Sequence, residues 1–227
     1  MRVLVVAAHP DDEVLGCGGT MALLAHRGHE VYVLILGEGV TSRDNERDPD
    51  RRATEIATLR KAAKEASQIL GVKKLFFEDF PDNRFDTVPL LELIKAVERV
   101  KKRINPDMVF THFEGDLNID HCLTARAVMT ATRPLPGESV HRVYAFEVLS
   151  STEWNFVSKF QPNVYFEITS FLERKIEALR CYESELKVFP HPRSVDGVKY
   201  LARLRGSETG VEAAEAFGLI RALEKKI

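Results

Sequence analysis

Cysteine is scarce in this chain: Cys17, Cys122 and Cys181 are odd in number and widely spaced among 227 residues. Such a set builds no disulfide framework and agrees with a reducing compartment. No apolar run approaches the roughly 18 residues that a spanning helix needs. The apolar opening is too short for a secretory signal and meets charges at once, so a soluble, cytoplasmic protein without membrane insertion is expected. A charge bias is missing as well, with 32 Lys plus Arg against 34 Asp plus Glu and a formal net charge of −2. This balance offers no electrostatic footprint for nucleic acid or an anionic membrane, which leaves a small molecule as the expected partner. Repeats, low-complexity tracts and linkers are also absent. The expectation is a single domain over 1–227, with a core at 1–135 and a C-terminal part at 136–227; a homo-oligomer stays open.

What the chain does have is enough apolar content, 44%, for one sizeable core. Val3-Leu4-Val5-Val6-Ala7-Ala8 reads as a strand buried on both faces. A helix follows from Glu13 to His26, then a strand over Val31–Leu36 and a charged loop over Thr41–Arg52. Next come a helix from Arg52 to Leu70, a strand over Lys74–Glu78, a helix over Leu90–Ile104 and a strand over Asp107–Thr111. Strands alternating with helices at this spacing predict an α/β fold with a parallel, doubly wound sheet. After Pro134-Leu135-Pro136-Gly137 the pattern changes. Strands are expected at Val143–Leu149 and Val164–Ile168, a long helix at Ser170–Glu185 and a last strand near Ala216–Ala222, with this extension wrapping the active edge. Gly16, Gly18 and Gly19 stand in the early turns of the first helix. They signal close approach either of a ligand or of another part of the fold.

The first strand runs directly into His9-Pro10-Asp11-Asp12-Glu13, an imidazole and three carboxylates in five residues. In open α/β sheets ligands bind at the carboxyl ends of the strands. The fourth strand feeds a second polar loop, Asp116-Leu117-Asn118-Ile119-Asp120-His121, on the same edge. His9, Asp12 and His121 can therefore converge. Two imidazoles and one carboxylate, with positions left for water or substrate, describe either catalytic zinc or non-haem iron. Asp11, offset by one residue, is free to accept a proton from a metal-activated water. Asp120 can orient a ligand ring from behind.

The two motifs, Ala8-His9-Pro10-Asp11-Asp12-Glu13 and Asp116-Leu117-Asn118-Ile119-Asp120-His121, resemble those of the PIG-L/LmbE family of metal-dependent N-deacetylases. The likeness implies a Rossmann-like, mostly parallel sheet flanked by helices and an activity on an N-acetylated amino sugar or its conjugate. It also implies one Zn2+ held by His9, Asp12 and His121, with Asp11 as general base. One position departs from the family pattern: many members carry a His where this chain has Asn118. An amide can donate to an oxyanion but cannot deliver a proton. His191, set between Pro190 and Pro192, is the expected replacement acid, with a protonated Asp11 as the alternative.

Arg60, Asp82, Asn83 and Arg84 are further candidates for substrate binding, and His112 for lining the site. Glu147, Glu153 and Trp154 are candidates for the pocket wall, with the core as the commoner place for Trp154. A dinucleotide-binding reading of the glycines fails, because the phosphate would have to sit where Asp11, Asp12 and Glu13 stand. A non-haem iron enzyme on the same ligands and a non-catalytic sugar-binding protein are the remaining rivals.

Overall fold

The computed structural model describes residues 1–224. Strand β1 (Arg2–Ala7) lies in a seven-stranded sheet with β2 (Glu30–Gly37), β3 (Lys74–Phe80), β4 (Met108–His112), β5 (Arg142–Phe146), β6 (Val164–Glu167) and β7 (Ala214–Ala222). The order is β3-β2-β1-β4-β5-β7-β6. The first five strands pair in parallel, and β7 enters antiparallel between β5 and β6. The expected α/β architecture is therefore the observed one, with one refinement. The C-terminal part supplies three strands, β5, β7 and β6, of which β7 runs antiparallel to both neighbours, and it also sends residues to the active edge.

The continuous apolar run of β1 is explained by layers on both faces. Val3, Val5 and Ala7 pack toward α1 (Asp12–His26), α2 (Ala53–Leu70), α5 (Leu172–Arg180) and α6 (Val195–Ser207). Leu4, Val6 and Ala8 pack toward α3 (Leu90–Ile104) and α4 (Ile119–Ala131). Chain order reverses between β1 and β4, which is the switch point where such sheets open a crevice.

Two elements are shorter than the sequence pattern suggests. The helix expected over Ser170–Glu185 is a single 3-10 turn at Thr169–Phe171 followed by α5, which stops at Arg180. Beyond it the fully buried Tyr182 turns inward, and its hydroxyl donates to Glu13. Strand β5 stops at Phe146 because the Val148 amide leaves the ladder and donates to Thr152 Oγ1 at 2.8 Å.

Helix α1 is kinked at Cys17, whose φ of −148° and ψ of 26° are not helical. At the kink the amides of Gly19 and Thr20 donate to the carboxylate of Glu215 on β7, at 2.9 and 2.6 Å. The Lys175 ammonium fills the other side of the break, donating to Leu15 O at 2.8 Å and to Glu215 at 2.6 Å. An ion pair from two distant elements thus replaces helix hydrogen bonds, an identifiable cause for the bend. The glycines of α1 serve packing. A Cβ on Gly16 would meet the Phe146 ring at 2.3 Å, and one on Gly19 would meet Ile168 at 2.7 Å.

Candidate metal centre

The turn after β1 carries the first half of the site. Asp11 sits at φ 106°, a left-handed conformation rare outside glycine and concentrated at functional sites. The Asp12 carboxylate folds back to accept the His9 amide at 2.8 Å. His9 Nδ1 then lies 3.3 Å from Asp12 Oδ2. The second half comes from the start of α4, capped by the Asn118 side chain, which accepts the Asp120 amide at 2.8 Å. His121 Nε2 lies 3.3 Å from the same Asp12 oxygen.

His9, Asp12 and His121 are all buried, and one donor atom of each falls within 4.8 Å of the others. Tetrahedral zinc, with ligand bonds of about 2.0–2.2 Å, keeps neighbouring donors about 3.3–3.5 Å apart. The two 3.3 Å separations match that edge, and the three residues can together hold a metal ion. A second grouping, His9 with Asp82 and Asp120, uses the other nitrogen of the same ring. His9 Nε2 lies 2.9 Å from Asp120 Oδ2 and 3.3 Å from Asp82 Oδ1. A ring that gives Nδ1 to a metal carries its proton on Nε2, so these carboxylates act as acceptors that orient it.

The expected ring-orienting role of Asp120 is therefore directed at His9. The carboxylate facing His121 is Asp116, which sequence reasoning did not single out: its Oδ1 forms an ion-pair contact at 3.2 Å with His121 Nδ1 without the alignment of a hydrogen bond. Asp116 is itself held by the hydroxyls of Ser151 and Thr152 and by the Asn118 amide at 2.8 Å. Asp116→Asn is expected to weaken metal binding at this group by about 10–100-fold while the metal-free protein stays folded, as measured by chelator competition.

Electrostatics favour a cation here. Burial opposes charge on His121, yet Asp12 and Asp116 push it up to about 9. His9 moves upward for the same reason, with burial outweighed by Asp12 and Asp120. Asp12 is held well below the usual carboxylate range by His121 in spite of burial. A dication entering this cluster takes the place of the imidazole protons. Asp11 behaves oppositely: burial, with the neighbouring Asp12 charge, drives it well above the carboxylate range against the pull of Arg193.

A pocket of about 220 Å³ opens over the ligands and is lined by Asp11, Ser42, Asp82, Asn83, Asn118 and Arg193 among others. Of the sequence candidates, Asp82, Asn83 and Asn118 thus reach it. Asn118 Nδ2 donates to Asn83 Oδ1 at 2.8 Å, which leaves the second hydrogen of that amide for a ligand. Arg60 does not line the pocket; it pairs with Asp79 and covers the Phe77 ring. Arg84 is likewise turned away, donating to Asn45 O at 3.0 Å. His191 lies outside the pocket wall, with its ring against Trp154 and its Nδ1 accepting the Arg193 amide at 3.1 Å.

The residue that this segment places inside is Arg193, whose Nη1 lies 3.2 Å from Asp11 Oδ2. Trp154, expected in the core, is 42% exposed because its 3-10 turn stands on the surface beside His191. His112 does not reach the pocket either: it is fully buried behind His121.

The sequence profile of the PIG-L family, described as GlcNAc-PI de-N-acetylase, matches residues 4–132, more than half of the chain and both halves of this site. The chain belongs to the PIG-L family. Among its PIG-L relatives, a probable N-acetyl-α-D-glucosaminyl L-malate deacetylase 2 of Bacillus cereus is 27% identical over 186 residues, covering 81% of this chain and 83% of that protein. The diacetylchitobiose deacetylase of Thermococcus kodakarensis is 28% identical over 199 residues, covering 81% and 70%. A conserved protein of Thermus thermophilus superposes with a TM-score of 0.77 at 27% identity, over 99% of this chain and 96% of that one. Deacetylase relatives and a buried group able to hold a metal together place this PIG-L chain among the N-deacetylases.

Proposed function

We propose that this protein is a zinc-dependent hydrolase that removes the acetyl group from an N-acetylated amino sugar or its conjugate. The observation that carries this reading is the convergence of His9 and His121 on one Asp12 oxygen at 3.3 Å each, with Asp11 beside them facing the same pocket. The deacetylase relatives support it, and the hydroxyl, amide and carboxylate lining suits a sugar ring. Zinc, when bound, acidifies water and polarises the acetyl carbonyl.

The chain's own residues do the rest. Asp11 takes the proton from the attacking water, and the oxygen adds to the carbonyl carbon. The free Nδ2 hydrogen of Asn118 donates to the carbonyl oxygen as it gains charge. Asp11 then hands its proton to the departing nitrogen, the C–N bond breaks, and a free amine leaves with acetic acid, which gives up its remaining proton to solvent as acetate. One carboxyl serves both proton transfers because Asp11 adjoins the ligand Asp12 and rests on Arg193, whereas the other non-ligand carboxylates of the pocket are engaged elsewhere, Asp82 with His9 and Ser42 and Glu185 with Arg43. Asp82 and Asn83, which line the same pocket, bind sugar hydroxyls.

Acetate release from a panel of N-acetylated sugars, with and without chelator, tests the reading. The expected result is release that stops with chelator and returns with zinc. Stoichiometric iron in protein purified without added metal, with oxygen consumption, would sink it.

A further inference from the structure

Behind the proposed metal centre lies His112, fully buried at the end of β4 and not itself part of the pocket wall. Its environment is unusual for a packing residue. The ladder between β1 and β4 runs from Val3 opposite Met108 to Val5 opposite Phe110 and then opens. At the opening the Ala8 amide finds its acceptor in a side chain, His112 Nε2, at 2.9 Å. Ala8 immediately precedes the ligand His9. A backbone amide can only donate, so His112 Nε2 must present a lone pair and the ring proton must sit on Nδ1. That nitrogen has no hydrogen-bond partner among the described residues.

The same ring lies flat on His121, with centroids 4.0 Å apart and planes at 22°. Its far side meets Phe146 at 4.6 Å, and Phe146 is the ring against which Gly16 of α1 packs. Packed rings thus run from the α1 backbone through Phe146, tilted by 57° to His112, to the proposed ligand imidazole of His121. The tautomer matters for the ligand oxygen too. Asp12 Oδ2 is only 3.6 Å from His112 Nε2, and a proton there would compete with the metal for it.

We infer that His112 is a positioning residue which, by accepting the Ala8 amide on Nε2 and backing the His121 ring, holds the two ligand imidazoles at metal-binding separation before metal arrives. The inference rests on the zinc reading above. Second-layer groups of this kind are worth about 10–100-fold in metal affinity.

Two variants separate the roles, with zinc itself as the probe. H112F keeps a flat ring against His121 but removes the acceptor. H112Q offers a carbonyl oxygen that can accept the Ala8 amide. Zinc affinity by chelator competition is expected to fall about 10–100-fold in H112F and to recover most of that loss in H112Q. For the zinc-loaded wild type, nitrogen-15 correlation of the histidine rings is expected to show His112 protonated on Nδ1 alone. An H112F affinity equal to wild type, an equal loss in both variants, or a proton on Nε2 overturns the inference. Urea melts establish that each variant folds; if H112F does not, the wild-type tautomer decides. No zinc binding by wild type would overturn the metal reading together with this one, whereas wild-type binding with an unaffected H112F overturns this one alone.

Discussion

Asp11→Asn is expected to keep zinc and to lower kcat by about 10²–10⁴-fold, the range that general acid–base catalysis contributes. The amide keeps the size of the carboxyl and can still reach the Arg193 guanidinium through its oxygen, so the turn that carries His9 and Asp12 is preserved. What it loses is the ability to take a proton from water and return it to nitrogen. The split is diagnostic: a fall in kcat at unchanged metal content identifies a base, whereas loss of zinc would make Asp11 a ligand. His191→Ala serves as the comparison. Its ring stands outside the pocket, so kcat is expected to change only a few-fold. Loss of one limb of the pH–rate profile in that variant would transfer the acid role to His191.

Lys175→Met is expected to destabilise the fold by about 3–5 kcal/mol, read from urea unfolding. Both members of the Lys175 and Glu215 pair are buried, with side chains 4% and 5% exposed, and removing the cation strands a carboxylate. Buried ion pairs elsewhere are often replaced by apolar residues at little cost. That outcome is not expected here. In Lys175→Met combined with Glu215→Leu, the amides of Gly19 and Thr20 and the Leu15 carbonyl lose their partners at the kink of α1. Each orphaned buried group costs about 1–3 kcal/mol, so the double variant stays destabilised. Recovery to wild-type stability would show that α1 closes the break with its own hydrogen bonds.

The parts of the molecule written in local pattern were legible beforehand. The apolar run of β1, the switch to His9-Pro10-Asp11-Asp12 and the alternation of strands and helices follow from periodicity, and α3 keeps the bounds Leu90–Ile104. The metal group was legible because parallel strands deliver their C-terminal loops to one edge. Contacts between distant segments were not. Arg193 reaches Asp11 across 182 positions, and no spacing rule distinguishes it from its neighbour His191. Asp116 and Asp120 are equivalent in composition. Which one backs which ring depends on where α4 begins: Asn118 caps it, and Asp120 then points across to His9 while Asp116 stays with His121. Tyr182 ended α5 early for a reason invisible in helical periodicity, its hydroxyl bond to Glu13.

The grip of β7 on α1 sets an order of events during synthesis. Residues 1–132 contain every proposed metal ligand, yet the helix that follows Asp12 is braced at Gly19 and Thr20 by Glu215, near the end of the chain. A nascent polypeptide folds from its N-terminus as it emerges. One halted at Ser207, with α6 complete and β7 still to come, lacks both the brace and the strand that joins β5 to β6. The proposed metal site is thus expected to mature only once β7 has been made, and a product truncated at Ser207 should bind the ion weakly in spite of carrying all three proposed ligands.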